Sequence, residues 1–493
     1  MATFHQVLSS GADVARAVGL EPPPDQDIVV IGATGDLAKR KLLPALYNLS
    51  KDKLLPEKGA IIGSAPFQWD QQRFREHARQ SVQEFSRTGL DEDAFRDFAS
   101  RLRFVPLSGN GDLSVLTSGF TEQRRLVYLA VPPSSFAPLI SGLGNAGFTE
   151  GTSLIIEKPF GHDLQSAVEL NHELHAVLPE ERVFRIDHYL GKETVQNLLV
   201  FRFGNSVFDR VWSRDAIHRV EITVAESVGV DGRGKLYEEI GAIRDIVQNH
   251  IFQVLALIAM EPPISFDAEA IRNEKVKVLQ AMHSIDPAHV VRGQYTAGSV
   301  DGEHARAYRS EPGVSPDSTT ETFVALKLQL EAWRWTGVPF LIRTGKRMAK
   351  RDSRVVIVFR EVPLHLFREV GVHAMESNRL VVRIQPDEGI ALTFSAKQPG
   401  PDVTAQEVNM DFRYGNSFRT SPPEAYERLL HDAMHGDHTL FIREDEVESG
   451  WAAVDRILAR PQPITFYAAG SWGPVEAAQV AAPGHWHDAD GPA

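Results

Sequence analysis

The segment Arg185–Glu193, RIDHYLGKE, carries five charged or titratable side chains around one tyrosine and one glycine. A solvated helix face could carry such residues, but the Tyr-Leu-Gly in its middle disfavours that interpretation. His188, Tyr189 and Lys192 offer an imidazole, a hydroxyl and an ammonium group to a single anion. Asp187 would repel that anion if it pointed the same way, so we expect its carboxylate to serve another group.

His250 could be that group. It falls on the apolar stripe of segment 241–260, in which hydrophobic residues recur at helical spacing. Most histidines in such a place are core residues with satisfied hydrogen bonds. A buried imidazole still needs a partner for its second nitrogen, however, and the Asp187 carboxylate could supply one. An Asp–His pair of this kind is a general base with a fixed tautomer.

Asp245 precedes His250 by five residues, which places it about 140° away around an ideal α-helix. The two side chains should therefore not share one narrow face, and could only flank a ligand that lies across the helix. Other charged residues are candidates for ligand contacts, each with an alternative interpretation as an ordinary solvated side chain. These candidates are Lys158, Glu226, Lys346 and Arg351.

A glycine-containing turn follows the short apolar run DIVVIG and opens a helical stretch. Small residues in such a turn let backbone amides approach a pyrophosphate, and the helix N-terminus adds partial positive charge. A tight strand-to-helix turn without a ligand is the alternative, but the position after the first strand favours a dinucleotide site. The turn consists of Gly32, Ala33, Thr34, Gly35, Asp36, Leu37 and Ala38, with Lys39, Arg40 and Lys41 one turn further on.

The second strand-like run does not reveal which dinucleotide binds. An unphosphorylated adenosine ribose usually meets a carboxylate at the end of this strand, and a 2′-phosphorylated one meets an arginine. Here the strand ends in Gly63-Ser64-Ala65-Pro66, which contains neither. These residues alone leave NAD and NADP equally open.

The elements that must position these residues fall into two domains. Apolar runs alternate with helical stretches over residues 27–200, which predicts a Rossmann-like, doubly wound parallel sheet (α/β). Residues 201–480 contain several runs of alternating apolar and polar residues, which predicts a larger α+β domain with a big, mostly antiparallel sheet. We expect residues 1–26 to form an N-terminal arm and 481–493 a disordered tail. His485 and His487 could bind a metal, but a solvated tail is the preferred interpretation.

Composition excludes several functional classes. The 493 residues have a net charge of −13, which argues against a nucleic-acid-binding surface. There is no cysteine, so disulfides, thiolate catalysis and Cys-based metal sites are excluded. No run of eighteen apolar residues and no signal-peptide pattern is present. We therefore expect a cytoplasmic protein without a membrane, nucleic-acid or metal site.

With these residues assembled, the sequence resembles the glucose-6-phosphate dehydrogenase family over residues 27–475. The shared motifs, in family order, are GATGDLAKRKLLPALYNL, EKPFG, RIDHYLGKE, GRGKLYEEIGAIRDIVQNH, VPFLIRTGK and FYAAGSWGP. The resemblance implies oxidation of C1 of glucose 6-phosphate to the 6-phospho-lactone, with hydride passed to a nicotinamide.

The resemblance also implies roles for individual residues. His250 matches the general base and Asp187 the carboxylate that orients it. The positions that match substrate-binding residues are Lys158, His188, Tyr189, Lys192, Glu226, Asp245, Lys346 and Arg351. The turn from Gly32 to Lys39 matches the cofactor site, and Lys158 matches a lysine between the two ligands. The family also implies a homodimer or homotetramer.

Pro66 is the main departure from the family pattern. Relatives commonly have an arginine there that contacts the 2′-phosphate of NADP. Loss of such a charge-assisted contact costs about 1.5–3 kcal/mol, which lowers NADP affinity about ten- to a hundredfold. Ser64, Lys39 or Arg40 could compensate, so NADP remains the expected cofactor, with NAD or dual use as the alternative. A non-catalytic cofactor-binding paralogue is a further alternative, which the presence of Asp187, Lys192 and His250 disfavours.

Overall fold

The computed structural model describes residues 22–107, 112–364, 366, 376–401, 403–415 and 423–488. Most of the expected N-terminal arm, residues 1–21, lies outside the described residues. Eighteen strands form a seven-stranded sheet, a nine-stranded sheet and a two-stranded sheet within this part of the chain. None of its helices is long and apolar enough to cross a membrane.

The first sheet has the strand order β17-β6-β5-β4-β1-β2-β3. Strands β1 to β6 pair in parallel, and β17 closes one edge in antiparallel pairing with β6. This confirms the expected doubly wound sheet. Its strands are β1 Asp27–Ile31, β2 Ile61–Ala65, β3 Leu102–Pro106, β4 Arg125–Leu129, β5 Thr152–Glu157, β6 Val183–Ile186 and β17 Phe441–Ile442.

Strands β3 and β6 are not evident from the sequence because an arginine interrupts each short apolar run. In β6, Arg185 is fully buried. Its guanidinium donates to Glu180 at 2.7 Å and to Asn171 at 2.8 Å. A buried charge is tolerated here because it is paired and hydrogen-bonded.

The second sheet has the strand order β16-β15-β14-β13-β7-β12-β11-β8-β18. It is mostly antiparallel, as expected, although β7–β12 and β8–β18 pair in parallel. Its strands are β7 Ile217–Ala225, β8 Val290–Thr296, β11 Phe323–Leu328, β12 Phe340–Gly345, β13 Asp352–Phe359, β14 Arg379–Gln385, β15 Gly389–Lys397, β16 Ala405–Arg413 and β18 Ile464–Ala468. The two-stranded sheet consists of β9 Gly298–Val300 and β10 Glu303–Ala305.

Helices cover the sheets and connect the domains. The α-helices are α1 Leu43–Lys51, α2 Gln71–Phe85, α3 Glu92–Arg101, α4 Phe136–Asn145, α5 Leu164–His175, α6 Glu193–Phe203, α7 Ser206–Asp209, α8 Gly234–Ala242, α9 Phe252–Ala259, α10 Ala268–Gln280, α11 Ala425–His435, α12 Glu444–Ala459 and α13 Ala478–Ala481. Within the described residues, two π-helices span Ala38–Leu42 and Ile243–Ile251. Short 3₁₀ helices span Leu113–Gly119, Pro133–Ser135, Glu180–Arg182, Pro287–His289, Tyr308–Ser310 and Val475–Ala477.

The expected disordered tail is wrong for residues 481–488, which lie against the second sheet. Trp486 Nε1 donates to the Ala477 carbonyl at 3.0 Å, and His487 Nδ1 lies 2.9 Å from Glu221. Glu221 and Arg343 are buried in strands β7 and β12, and buried charges need partners. The tail supplies them, with Trp486 stacked 4.6 Å from the Arg343 guanidinium. Residues 489–493 lie outside the described part of the chain.

Candidate active site

The π-helix Ile243–Ile251 brings Asp245 and His250 to the same side of their segment. A π-helix links residue i to residue i+5, so residues five apart lie near the same side of the helix. Burial lowers the pKa of His250 and the Asp245 charge opposes this, so the two side chains are close enough to interact. Lys158 donates to Asp245 Oδ1 at 2.9 Å. The expectation of a 140° separation assumed an ideal α-helix and is therefore wrong.

Asp187 and His250 form the buried pair that the sequence suggested. Asp187 Oδ1 lies 2.5 Å from His250 Nδ1, and both side chains are almost fully buried. Burial lowers the pKa of His250, and the Asp187 charge partly offsets this. Burial raises the pKa of Asp187, but the neighbouring His250 reverses the effect and holds it at about 2. A charged Asp187 accepts a hydrogen bond from Nδ1–H, which leaves Nε2 as the free acceptor.

Two aromatic neighbours fix the orientation of the His250 ring. The Tyr189 ring stacks on it at 4.3 Å with an interplanar angle of 16°. The His188 ring meets it edge-on at 4.6 Å. Burial, followed by the charge of His250, lowers the pKa of His188 well below its ordinary value. His188 is therefore a neutral hydrogen-bonding group at neutral pH in the absence of an anion.

A cavity of about 580 Å³ opens beside His188. Lys192 lies on its wall, where its ammonium group donates to Gln385 Oε1 and lies 4.3 Å over the Tyr189 ring. Arg351 donates to the same Gln385 oxygen at 2.9 Å. Burial and the charge of Arg351 lower the pKa of Lys192 to about 8. Cations that crowd a cleft at an energetic cost are typical of an anion site.

Lys41, Gln385 and Tyr426 are among the lining residues of this cavity that sequence reasoning did not assign to it. Lys41 was expected near dinucleotide phosphates, but the structure places its ammonium group in an ion pair with Glu424 at the cavity wall. Lys41 follows Leu37 by four residues, and Leu37 also lines the cavity. That spacing is the signal that could have placed Lys41 at this cavity.

A chain of alternating charges continues from the base towards the second sheet. Lys346 donates to Glu226 Oε2 at 2.7 Å and lies 3.5 Å from Asp245 Oδ2. Burial raises the pKa of Asp245, but Lys158 and Lys346 lower it far more. Burial lowers the pKa of Lys346, whereas Asp245 and Glu226 raise it above its ordinary value. Asp245 and Lys346 are thus both charged at neutral pH, and together with Lys158 and Glu226 they offer donors and acceptors to a polyhydroxylated ligand.

The turn after β1 fits a dinucleotide. Gly32 has φ +92°, and a Cβ at this position would lie 2.2 Å from the Ala130 carbonyl oxygen, so only glycine is accommodated. The Gly32 and Ala33 amides donate to the Ser64 carbonyl and so join the turn to the end of β2. Thr34, Gly35, Asp36, Leu37 and Ala38 continue from there into the π-helix Ala38–Leu42. The small residues and the helix start agree with a pyrophosphate site.

Not all expected cofactor contacts point into this site. Ser64 is fully buried, and its hydroxyl donates to the Val105 carbonyl at 2.6 Å. Lys39 pairs with Glu84 at 2.8 Å, and Arg40 pairs with Asp36 at 2.8 Å. The side chains proposed to replace an arginine at position 66 are thus already bound to other groups.

The parallel sheet with its small-residue turn, next to a buried Asp–His pair, defines a Rossmann-type oxidoreductase that binds a nicotinamide cofactor. Residues 29–197 match the family model for the NAD binding domain of glucose-6-phosphate dehydrogenase, and residues 199–487 match that for its C-terminal domain. The chain therefore belongs to the glucose-6-phosphate dehydrogenase family and is an enzyme of carbohydrate metabolism.

Individual relatives agree along nearly the whole chain. The glucose-6-phosphate 1-dehydrogenase of Aggregatibacter actinomycetemcomitans is 44% identical over 92% of this chain and 95% of its own length. The crystal structure of the Mycobacterium avium enzyme covers 96% of this chain and 100% of its own, with 39% identity and a TM-score of 0.83. A glucose-6-phosphate dehydrogenase solved in complex with its substrate covers 95% and 99%, with 36% identity and a TM-score of 0.85.

Proposed function

We propose that this protein oxidises C1 of D-glucose 6-phosphate to 6-phospho-D-glucono-1,5-lactone, with NADP⁺ as hydride acceptor. This is the first step of the oxidative pentose phosphate pathway. The observation that carries the proposal is the buried Asp187–His250 hydrogen bond next to a cavity. Lys41, Lys192 and Arg351 line this cavity together with Glu193, Glu388 and Glu424. The cavity suits a phosphate dianion, and the pair suits proton removal from a hydroxyl.

His250 is the general base in this mechanism, and Asp187 is its orienting residue. Asp187 holds the proton on Nδ1, so Nε2 can take the proton of the C1 hydroxyl as hydride leaves the same carbon. Burial keeps the resting imidazole neutral. The turn after β1 would hold the pyrophosphate of the dinucleotide, and its nicotinamide would supply the hydride acceptor. Asp187 also stabilises the imidazolium that forms.

The remaining residues position the substrate. The phosphate would lie at the cavity lined by Lys192, His188 and Arg351, with Lys41 as a further lysine at its wall. The Tyr189 hydroxyl is next to this cavity, since it accepts from the lining residue Gln385 at 3.3 Å. On the other side of His250, charged side chains of alternating sign would bind the sugar hydroxyls. These residues are Lys158, Asp245, Lys346 and Glu226.

Initial rates with glucose 6-phosphate and matched series of NADP⁺ and NAD⁺ test the proposal. Turnover with a lower KM for NADP⁺ supports it. Comparable or better rates with NAD⁺ would establish the alternative of NAD or dual use, for which Pro66 is the reason. Absence of turnover with both would support a non-catalytic cofactor-binding protein.

We also propose a homo-oligomer, a dimer or a tetramer, formed through the outer face of the second sheet. The supporting feature is the edge strand β16, where Met410 is 63% exposed and Val408 37%. Two exposed apolar side chains on the same face of an edge strand suit a symmetric contact between two copies of the chain. Sedimentation velocity tests this, and a monomer at micromolar concentration would contradict it.

Replacing Lys192 by alanine should raise KM for glucose 6-phosphate about ten- to a hundredfold, because a charge-assisted contact to the phosphate is lost. Free glucose, which has no phosphate, should react as poorly as before. The measurement compares kcat/KM for both sugars in the wild type, Lys192→Ala and Lys397→Ala, an exposed lysine of β15. An equal loss for both sugars would exclude a phosphate-binding role.

The pKa of Lys192 also predicts a pH dependence. Only the protonated amine attracts the phosphate, so kcat/KM for glucose 6-phosphate should fall as pH rises through about 8, the pKa of Lys192 in the free enzyme. Besides burial, the positive charges of Arg351 and Lys41 lower this pKa, whereas the negative charges of Glu388 and Asp187 raise it. In Lys192→Arg the guanidinium stays charged, so this fall should disappear. Identical alkaline limbs in the two proteins would refute the assignment.

A further inference from the structure

Helix α2 presents one face to the dinucleotide turn and the π-helix that follows it. His77 lies within hydrogen-bonding reach of the Ala33 backbone, and Glu84 pairs with Lys39 at 2.8 Å. His77 and Glu84 are seven residues apart, so they share this face. Arg73 precedes His77 by four residues and lies on the same face, one turn closer to the start of the helix.

The start of α2 lies at the cofactor edge of the first sheet. The helix follows β2 after a five-residue loop, 66–70, and the carboxyl ends of parallel strands are where dinucleotides bind in this fold. The Asp70 carboxylate caps the helix by accepting from the Arg73 amide at 2.7 Å. Arg73 therefore lies in the first turn of α2, next to the loop 66–70. This loop begins with Pro66, at the position where relatives have the arginine.

An aromatic ring supports the Arg73 side chain at this edge. Its guanidinium lies 4.8 Å above the centre of the Trp69 ring. The centre of the Trp69 ring lies 5.2 Å from that of His77 in α2 and 5.9 Å from that of Phe104 in β3. The ring is therefore packed between α2 and β3. Cation–π stacking on a packed tryptophan restricts a guanidinium without neutralising it.

Arg73 also differs from its basic neighbours in its partners. Lys39 and Arg40 are paired with carboxylates, as described above, whereas Arg73 has no carboxylate within ion-pair distance in the described residues. An exposed guanidinium keeps both N–H edges for a planar or tetrahedral oxyanion, and Arg–phosphate contacts are commonly bidentate. Arg73 is therefore free to bind a phosphate at the end of β2.

We propose that Arg73, held on Trp69, binds the adenosine 2′-phosphate in place of the arginine that Pro66 replaces. The specificity contact has moved from the loop after β2 to the first turn of the following helix. This inference rests on the proposed use of NADP and identifies the residue that makes NADP the preferred cofactor despite Pro66.

The test measures binding rather than turnover. Adenosine 2′,5′-bisphosphate and adenosine 5′-phosphate differ only in the 2′-phosphate, and isothermal titration calorimetry of the full chain gives the ratio of their Kd values. The wild type should bind the bisphosphate more tightly. Arg73→Gln should reduce this preference about ten- to a hundredfold, with 5′-phosphate binding unchanged.

Arg75→Gln is the matched control. Arg75 is also an exposed arginine of α2, but it lies two residues on and therefore about 200° around the helix, away from the turn. This variant should keep the wild-type preference. Combining Pro66→Arg with Arg73→Gln should restore the preference that Arg73→Gln loses, which a merely structural effect of Arg73 would not allow.

Two results would overturn the inference: equal affinities of the wild type for the two nucleotides, or an unchanged preference in Arg73→Gln. Both are distinct from failure of the proposed function. Turnover of glucose 6-phosphate without a 2′-phosphate preference would remove only the role of Arg73. A preference that depends on Arg73 without any turnover would remove only the proposed reaction.

Discussion

Replacing His250 by asparagine is expected to lower kcat about 10²–10⁴-fold, the usual contribution of a positioned general base. Asparagine is close in size to imidazole and can still donate a hydrogen bond to the Asp187 carboxylate, but its amide cannot take a proton. The Tyr189 and His188 rings that pack against His250 remain in place. KM and cofactor affinity should therefore change little, and kcat and kcat/KM should fall together.

His438 provides the matched control for this variant. It is another buried histidine, stacked on Phe184 at 4.0 Å, and its Nε2 lies 3.0 Å from the Glu181 carbonyl. His438→Asn removes a buried imidazole without touching the site, so it should alter thermal stability but not kcat. Retained turnover in His250→Asn would make His250 a core residue with satisfied hydrogen bonds, the alternative that its apolar surroundings suggest.

The pairing of Asp187 with His250 could be predicted because it depends on a rule that holds in any fold. A buried imidazole needs partners for both nitrogens, and a carboxylate next to an anion site must point elsewhere. Two residues 63 positions apart could thus be joined without knowledge of the connecting elements. The electrostatic consequences of this pairing, such as a neutral His188, depend on how deeply segment 185–193 is buried. Residue types alone do not give that depth.

The position of Asp245 relative to His250 could not be predicted because their five-residue spacing was converted to an angle around the helix axis with the geometry of an α-helix. The apolar stripe of segment 241–260 was correct, since Ile243, Ile246 and Val247 are buried. The π-helical hydrogen-bonding pattern leaves no mark on that stripe. π-Helical turns are frequent at functional sites, where one extra residue per turn changes which side chains meet.

Contacts made by the folded chain also bear on the predictions for the cofactor site and the tail. Ser64, Lys39 and Arg40 were suitable by type and position, but Ser64 donates to Val105, Lys39 pairs with Glu84 of α2, and Arg40 pairs with Asp36, four residues before it. The tail looked solvated from its composition, yet His487 and Trp486 contact the buried charges Glu221 of β7 and Arg343 of β12. Residue type predicts what a side chain can bind, whereas the fold decides what it does bind.

Replacing Asp187 by asparagine should lower kcat nearly as much as loss of the base, about 10²–10⁴-fold. The amide has no negative charge and can turn its NH₂ group towards His250 Nδ1. The imidazole would then carry its proton on Nε2, the nitrogen that must accept the substrate proton. Because the Asp187 charge raises the pKa of His250, its removal should also shift the acid limb of the kcat profile to lower pH.

Asp245→Asn separates the two effects of Asp187. The Asp245 charge also raises the pKa of His250, but its carboxylate binds Lys158 and Lys346 rather than the imidazole. Asp245→Asn should therefore move the acid limb in the same direction and raise KM, with a smaller loss of kcat than in Asp187→Asn. Equal losses of kcat in the two variants would mean that Asp187 acts only through its charge. A wild-type kcat in Asp187→Asn would mean that it does not orient the base at all.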